Sequence, residues 1–133
     1  MVWDKLSFAD AHERCQAEDG ILAEIPDQEA QTQIKRWFVA YQNRWIWIGV
    51  NDINEEGKFV NMLNEAVNYT NWAKNEPKSY VEIHQEIYKC DCVGIVLGAW
   101  YFATPCSFRY LFALCSQRYD IGKYSECQWK EAG

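Results

Sequence analysis

The segment from Trp47 to Cys115 carries a series of short motifs in fixed order. It reads Trp47-Ile48-Gly49-Val50, Glu56-Gly57-Lys58-Phe59, Asn71-Trp72, Glu76-Pro77-Lys78, Asp91-Cys92-Val93, Gly98-Ala99-Trp100, Cys106 and Leu114-Cys115. No piece is specific alone; order and spacing together constrain the fold. Trp45 to Val50 is apolar on both faces, as a central strand is. Val93 to Leu97, Trp100 to Ala103 and Tyr110 to Ser116 are further strand candidates. Asn51 to Lys89 is polar and rich in Asn, Glu and Gly. So long an irregular segment inside a compact domain is usually functional.

Upstream the spacing is helical. Ser7 is placed as an N-cap, with Asp10 where a capping-box acid belongs. Phe8, Ala11 and Cys15 recur on one face, so Cys15 should point to the core. Asp19-Gly20 is a stop signal, and Leu22 to Ile25 is a short link or strand. Asp27 caps a second helix whose apolar face is Ala30, Ile34, Trp37, Phe38 and Tyr41. There are no internal repeats and no linker.

At 133 residues the chain fits one domain, and its 16% aromatic content points to a core packed around large rings. The formal charge of -6 argues against nucleic acid or an anionic membrane as partner, because both need basic patches. The longest nearly unbroken apolar run, Val93 to Ala103, is too short to span a bilayer, so no membrane insertion by this segment is expected. Met1-Val2-Trp3 opens no signal peptide and reads as a processed or engineered start. Six cysteines in a small acidic domain suggest an oxidising compartment. A zinc site on Cys90-x-Cys92 with His84 is the competing reading, but no CxxC pair exists to supply paired ligands.

In order and spacing these motifs resemble the C-type lectin-like domain of the C-type lectin superfamily, in a collectin-like arrangement. The family signatures are WIGL, EGxF, a Trp before EPN, DCV, GxWND and two closing cysteines. With Cys15 the resemblance covers about Ser7 to Ser116. It implies an α+β C-type lectin-like fold, two helices flanking antiparallel strands with a long-loop region. The domain is then 1–117, and 118–133 is a C-terminal extension carrying Cys127 and Trp129. The resemblance also implies the pairs Cys15–Cys115 and Cys92–Cys106. The first closes a loop of about 100 residues, which the chain-entropy model values at about 4–5 kcal/mol. Cys90 and Cys127 lie outside the family's set. Cys90 and Cys92 are too close in sequence to bond without strain. Cys90 and Cys127 therefore bond each other, link the chain into a disulfide-linked dimer, or remain thiols.

The resemblance also implies a ligand set. The family holds calcium with the Glu and Asn of EPN, an acid before the DC pair, and the Asn and Asp of WND. A sugar joins through vicinal hydroxyls that contact both metal and ligand residues. Here Glu76 survives, Lys78 replaces an amide with a cation, Cys90 stands in the acid's place, and Tyr101 and Phe102 follow Trp100. One carboxylate does not make a calcium site, so no calcium is expected at Glu76. The motif implies a cis Glu76-Pro77 bond, though without a metal that constraint is relaxed. At the auxiliary calcium site Asp52, Glu56 and Asp91 fall at ligand positions, while Ser79 replaces a further acid. An auxiliary calcium is thus the one cofactor the sequence admits; otherwise Asp52 and Glu56 shape a turn before Gly57. Glu82, Glu86 and His84 read better as a solvated loop than as substitute ligands.

There is no GxSxG, phosphate loop or HExxH, and His12 reads as a surface or packing residue on the first helix. The chain is therefore read as a non-enzymatic extracellular recognition module, secreted or part of a membrane protein. Its ligand is a protein or glycoprotein, met without calcium at the long-loop face by Tyr80, Glu82, Tyr101, Phe102, Glu76 and Lys78. Aromatic residues are favoured at interfaces; burial in a reshaped loop is the competing reading of these rings. The alternative function is a lectin that stacks sugars on rings. Asn68-Tyr69-Thr70 is an N-glycosylation sequon, so Asn68 should be exposed.

Overall fold

The computed structural model describes residues 5–37, 45–96, 100–109, 112–117 and 120–124. Phe38, Tyr41, Leu97, Gly98, Ala99, Tyr110, Cys127 and Trp129 lie outside the described residues, as does the Trp37 side chain. Helix α1 spans Phe8–Gln16, and the Ser7 side chain accepts a hydrogen bond from the Asp10 amide. The chain leaves it through Asp19 at φ 61 and enters β1, Gly20–Leu22. Helix α2 spans Gln28–Trp37, and Asp27 Oδ1 accepts from the Ala30 amide at 2.8 Å. Both caps satisfy helix N–H groups that would otherwise have no partner.

The central sheet is built on β2, Trp45–Asn51. It pairs antiparallel with β5, Cys92–Val96, which pairs antiparallel with β6, Trp100–Thr104. Its other neighbour is β7, Phe112–Ala113, in parallel. One pair of this sheet thus departs from the all-antiparallel expectation. The expected strand from Tyr110 to Ser116 is divided at Leu114. There the chain leaves the central sheet and becomes β8, Cys115–Gln117. Leu114 bridges the two sheets, donating to Trp47 O and accepting from Ala23 N. β8 lies between β1 and β9, Asp120–Tyr124, both antiparallel to it. β9 belongs to the segment beyond residue 117, so part of that extension completes a sheet.

Strand alternation divides the core in two. Ile46, Ile48, Val50, Val93, Ile95 and Tyr101 face one layer, which Ala23, Ile25 and Ile34 of the α2 side close. Trp47 and Cys92 face the other, which α1 closes with Phe8, Ala11 and Cys15. The Phe8 and Trp47 rings meet edge to face at 5.6 Å. Gly49 permits the close passage of β2 over β1: a Cβ there would stand 2.1 Å from Leu22 O. The Cys15–Cys115 and Cys92–Cys106 bonds are both formed. Among the described residues no helix is long and apolar enough to cross a membrane.

Candidate functional site

The long segment after β2 is anchored at its root. Asn51 and Val60 exchange backbone hydrogen bonds. Asn61 is buried and acts as a hub: its amide donates to Glu24 and Glu65, and its oxygen accepts from the Leu63 and Glu65 amides. Sequence reasoning passed over Asn61, because only the fold brings Glu24 to it. Further along, Trp72 lies parallel to β6 at Tyr101, with Tyr101 N donating to Asn71 O and Ala73 N donating to Tyr101 O. The segment expected to be irregular also contains a hairpin, β3 (Tyr80–Ile83) and β4 (Glu86–Lys89), which forms its own two-stranded sheet.

Glu76 stands at the edge of β6. The Glu76-Pro77 bond is cis. The Glu76 carboxylate accepts from the Ala103 amide at 2.9 Å and from Lys78 Nζ at 2.9 and 3.1 Å. Glu76 is nearly buried and Lys78 half-buried. The Lys78 ammonium therefore supplies a positive charge on the carboxylate where the family resemblance implies a metal. It also stands 5.6 Å over the Phe102 ring, a cation–π contact. Cys90 is fully buried, and burial pushes its thiol pKa up, with Lys78 opposing that shift. It is held as a neutral thiol, a poor partner for a hard cation. Calorimetry at millimolar calcium is expected to show no binding that depends on Glu76. A calcium isotherm that disappears in Glu76→Gln would refute this.

Tyr101 departs from the sequence expectation. It is fully buried in the α2-side core, its ring edge to face with Trp72 at 6.0 Å and Tyr69 at 6.4 Å. A ligand at the surface does not touch it. Trp100, the ring of the Gly98-Ala99-Trp100 motif, is 47% exposed. The buried ring of β6 is Tyr101, and the two residues after it are Phe102 and Ala103. Neither side chain offers a metal ligand. Phe102 is half-buried on the opposite face, 4.6 Å from Trp45. Those two strands flank β5, so the rings meet across an intervening strand. That contact is open because Gly94, the cross-strand partner of Phe102, has no side chain. Trp45 was not anticipated as a site residue and is 45% exposed.

Tyr80 and Glu82 lie on one face of the hairpin, and both are exposed. The register sets Lys89 opposite Tyr80 and Ile87 opposite Glu82, so all four share that outward face. Ile87 is 72% exposed and Tyr80 57%. The inward face is anchored by Tyr88, whose ring meets Phe108 at 5.9 Å.

A second cluster joins the root of the long segment to β5. The Asp52 amide donates to Asp91 O, which brings the two carboxylates together. Ligand oxygens of Asp52, Glu56 and Asp91 lie within 4.8 Å of one another. Asp52 Oδ2 accepts from the Gly57 amide, whose residue has φ +84 and so favours glycine. Asp52 Oδ1 and Asp91 Oδ1 are buried with no hydrogen-bond partner among the described residues. Lys89 Nζ approaches Glu56 and Asp91 only at 3.9 Å. Two buried carboxylate oxygens without partners, with Glu56 beside them, fit a divalent cation such as calcium, which takes carboxylates and water. These residues would hold it, and its charge would relieve their mutual repulsion.

The Asp52 carboxyl is pushed up to about 7 from the ordinary 3.8, first by burial, with Glu56 and Asp91 adding to it and the Gly57 amide opposing. Below 3.8 the folded and unfolded chains both hold the proton. Between 3.8 and about 7 only the folded chain does. Its contribution to stability is therefore full at low pH and lost as pH rises through that window. In chelator, unfolding experiments from pH 4 to 7 should show a loss on the order of 1–2 kcal/mol, allowing for solvent screening at the rim. Asp52→Asn should flatten the profile, and calcium should raise stability most at the neutral end. A profile that Asp52→Asn leaves unchanged would contradict the assignment.

Comparison with known proteins agrees with this architecture. The Lectin C-type domain family model matches residues 4–117. Collectin-43 of Bos taurus is 33% identical over 73 residues, which are 55% of this chain and 22% of that protein. Asialoglycoprotein receptor 2 of Rattus norvegicus is 32% identical over 98 residues, 73% of this chain and 31% of that protein. The chain thus spans less than a third of the length of either relative. Among solved structures, the mouse scavenger receptor C-type lectin carbohydrate-recognition domain superposes with a TM-score of 0.72 at 25% identity, covering 89% of this chain and 86% of that one. The cow carbohydrate-recognition domain of CD23, solved in the presence of an oligosaccharide, gives 0.71 at 24% identity, covering 85% and 81%. Its motif order, two disulfides and split core place this chain in the C-type lectin domain family.

Proposed function

We propose that this domain is an extracellular recognition module that binds a protein or glycoprotein ligand without calcium at Glu76. The observation that carries the reading is the outward face of the β3–β4 hairpin. Tyr80 and Ile87 expose apolar surface on one diagonal, and Glu82 and Lys89 put opposite charges on the other. Large exposed apolar side chains held on a paired scaffold are characteristic of interaction sites. The Glu76–Lys78 pair supports calcium independence, because the carboxylate is already neutralised. We assign binding rather than catalysis, and a single auxiliary cation at Asp52, Glu56 and Asp91. Cys90 is buried, so we place any disulfide to a second chain on Cys127.

A second reading is favoured by Phe102, which lies under Lys78, by half-exposed Trp45, which packs on it, and by half-exposed Trp100 of the same strand as Phe102. Ring faces with a flanking carboxylate and ammonium suit a sugar stacked without metal.

Binding to a glycan array and to cell-surface protein extracts, each with calcium and with chelator, separates these readings. Binding to protein that survives chelation and falls more than tenfold in Tyr80→Ala/Ile87→Ala supports the first. A double variant of two exposed residues should leave the melting temperature nearly unchanged. Glycan binding lost in Trp100→Ala supports the second. Binding abolished by chelation and by Glu76→Gln would refute both.

A further inference from the structure

We infer that the Asn68 side-chain amide accepts an N-linked oligosaccharide, on the side of the central sheet opposite the β3–β4 hairpin. Asn68-Tyr69-Thr70 is a sequon, and no other asparagine in the chain has Ser or Thr two residues on. A glycan is bulky and hydrated, so a used sequon has its asparagine at the surface of the folded domain. Burial along this stretch alternates: Val67, Tyr69 and Asn71 are partly buried, whereas Asn68 and Thr70 are exposed. The alternation sets the acceptor amide and the threonine hydroxyl outward together. The stretch belongs to no helix or strand, so its backbone is not held in a sheet ladder.

Tyr69 fixes the segment from below. Its hydroxyl bonds to Gln28 Oε1 at 3.1 Å, and its ring packs on Tyr101. Val67 and Tyr69 both rest on the α2-side core. The hairpin instead rests through Tyr88 on Phe108, which packs against the α1-side core. A glycan at Asn68 would cover the α2 side of the long segment and leave Tyr80 and Ile87 clear.

In the transfer, the Asn68 amide nitrogen forms a bond to the anomeric carbon of a lipid-diphosphate-linked oligosaccharide. The bond from that carbon to the diphosphate oxygen breaks. The diphosphate leaves with the electron pair, and the amide loses one proton to a base of the transferase.

The inference rests on the extracellular reading, so the test supplies the compartment. The 133-residue chain is directed into the secretory pathway of insect cells by a cleavable signal. Disulfide-bonded chain from medium or lumen is digested and mapped by mass spectrometry. Asn68 should carry hexose and N-acetylhexosamine, and peptide N-glycosidase should release them and leave Asn68 deamidated. Thr70→Ala and Asn68→Gln should lose the modification, and Thr70→Ser should keep it. Unmodified Asn68 in the disulfide-bonded chain, or a glycan that persists in Thr70→Ala, would overturn the inference. Failure of the extracellular reading would show instead in the native source, as reduced Cys15 and Cys115.

Discussion

Replacing Cys15 and Cys115 together by alanine should lower the unfolding free energy by about 4–5 kcal/mol. The bond spans 100 residues and ties α1 to β8. Opening it releases the unfolded chain from its longest covalent loop, and the entropy gained there is lost to folding. The Cys92–Cys106 bond spans 14 residues, so the same argument values it at about 3 kcal/mol. A single domain has about 5–15 kcal/mol in total, so the first loss brings the protein close to unfolding. Urea titration of both double variants would measure the two values. An equal or smaller cost for the long-range pair would mean that the packing of Phe8 on Trp47, rather than the covalent link, holds α1 in place.

Tyr101→Ala should cost about 3–5 kcal/mol in stability, as removal of a buried ring does. Tyr101 is surrounded by Trp72, Tyr69 and the aliphatic layer of the central sheet. Its loss would leave a cavity beneath the segment that leads to Glu76. Tyr101→Phe keeps the ring and should cost no more than about 1.5 kcal/mol. Trp100→Ala, one residue away, removes a half-exposed ring and should cost far less than Tyr101→Ala. Thermal melts of the three variants would measure this, and a Trp100→Ala protein less stable than Tyr101→Ala would contradict the burial of Tyr101.

That Tyr101 is buried and Trp100 exposed is not legible in the sequence. Trp100, Tyr101, Phe102 and Ala103 are all apolar, so no alternation marks an inner face. Pairing with β5 decides it, by aligning Tyr101 with Ile95 and Phe102 with Gly94. The hairpin was hidden for another reason. Its turn is His84-Gln85, with φ 52 and 68, where Asn-Gly is the usual signal. Nothing in the sequence therefore marks Ile87 and Lys89 as surface partners of Tyr80 and Glu82. The division at Leu114 was hidden because it depends on backbone partners from Trp47 and Ala23. The acidic cluster, in contrast, is legible through the resemblance, which puts Asp52, Glu56 and Asp91 at ligand positions, and the structure brings them together.

The sequence by itself determined both helix starts and the central place of β2. These are local matters: a cap or a run of apolar residues. Resemblance to a family added the disulfide pairs, which spacing alone left open. Only the tertiary structure decided that Lys78 neutralises Glu76, that Tyr101 lies inside and Trp100 outside, and that Tyr80, Glu82, Ile87 and Lys89 share a face. Each depends on which backbone lies beside which. That is set by pairing and packing over the whole chain, because a strand with two apolar faces carries no mark of the side it will bury.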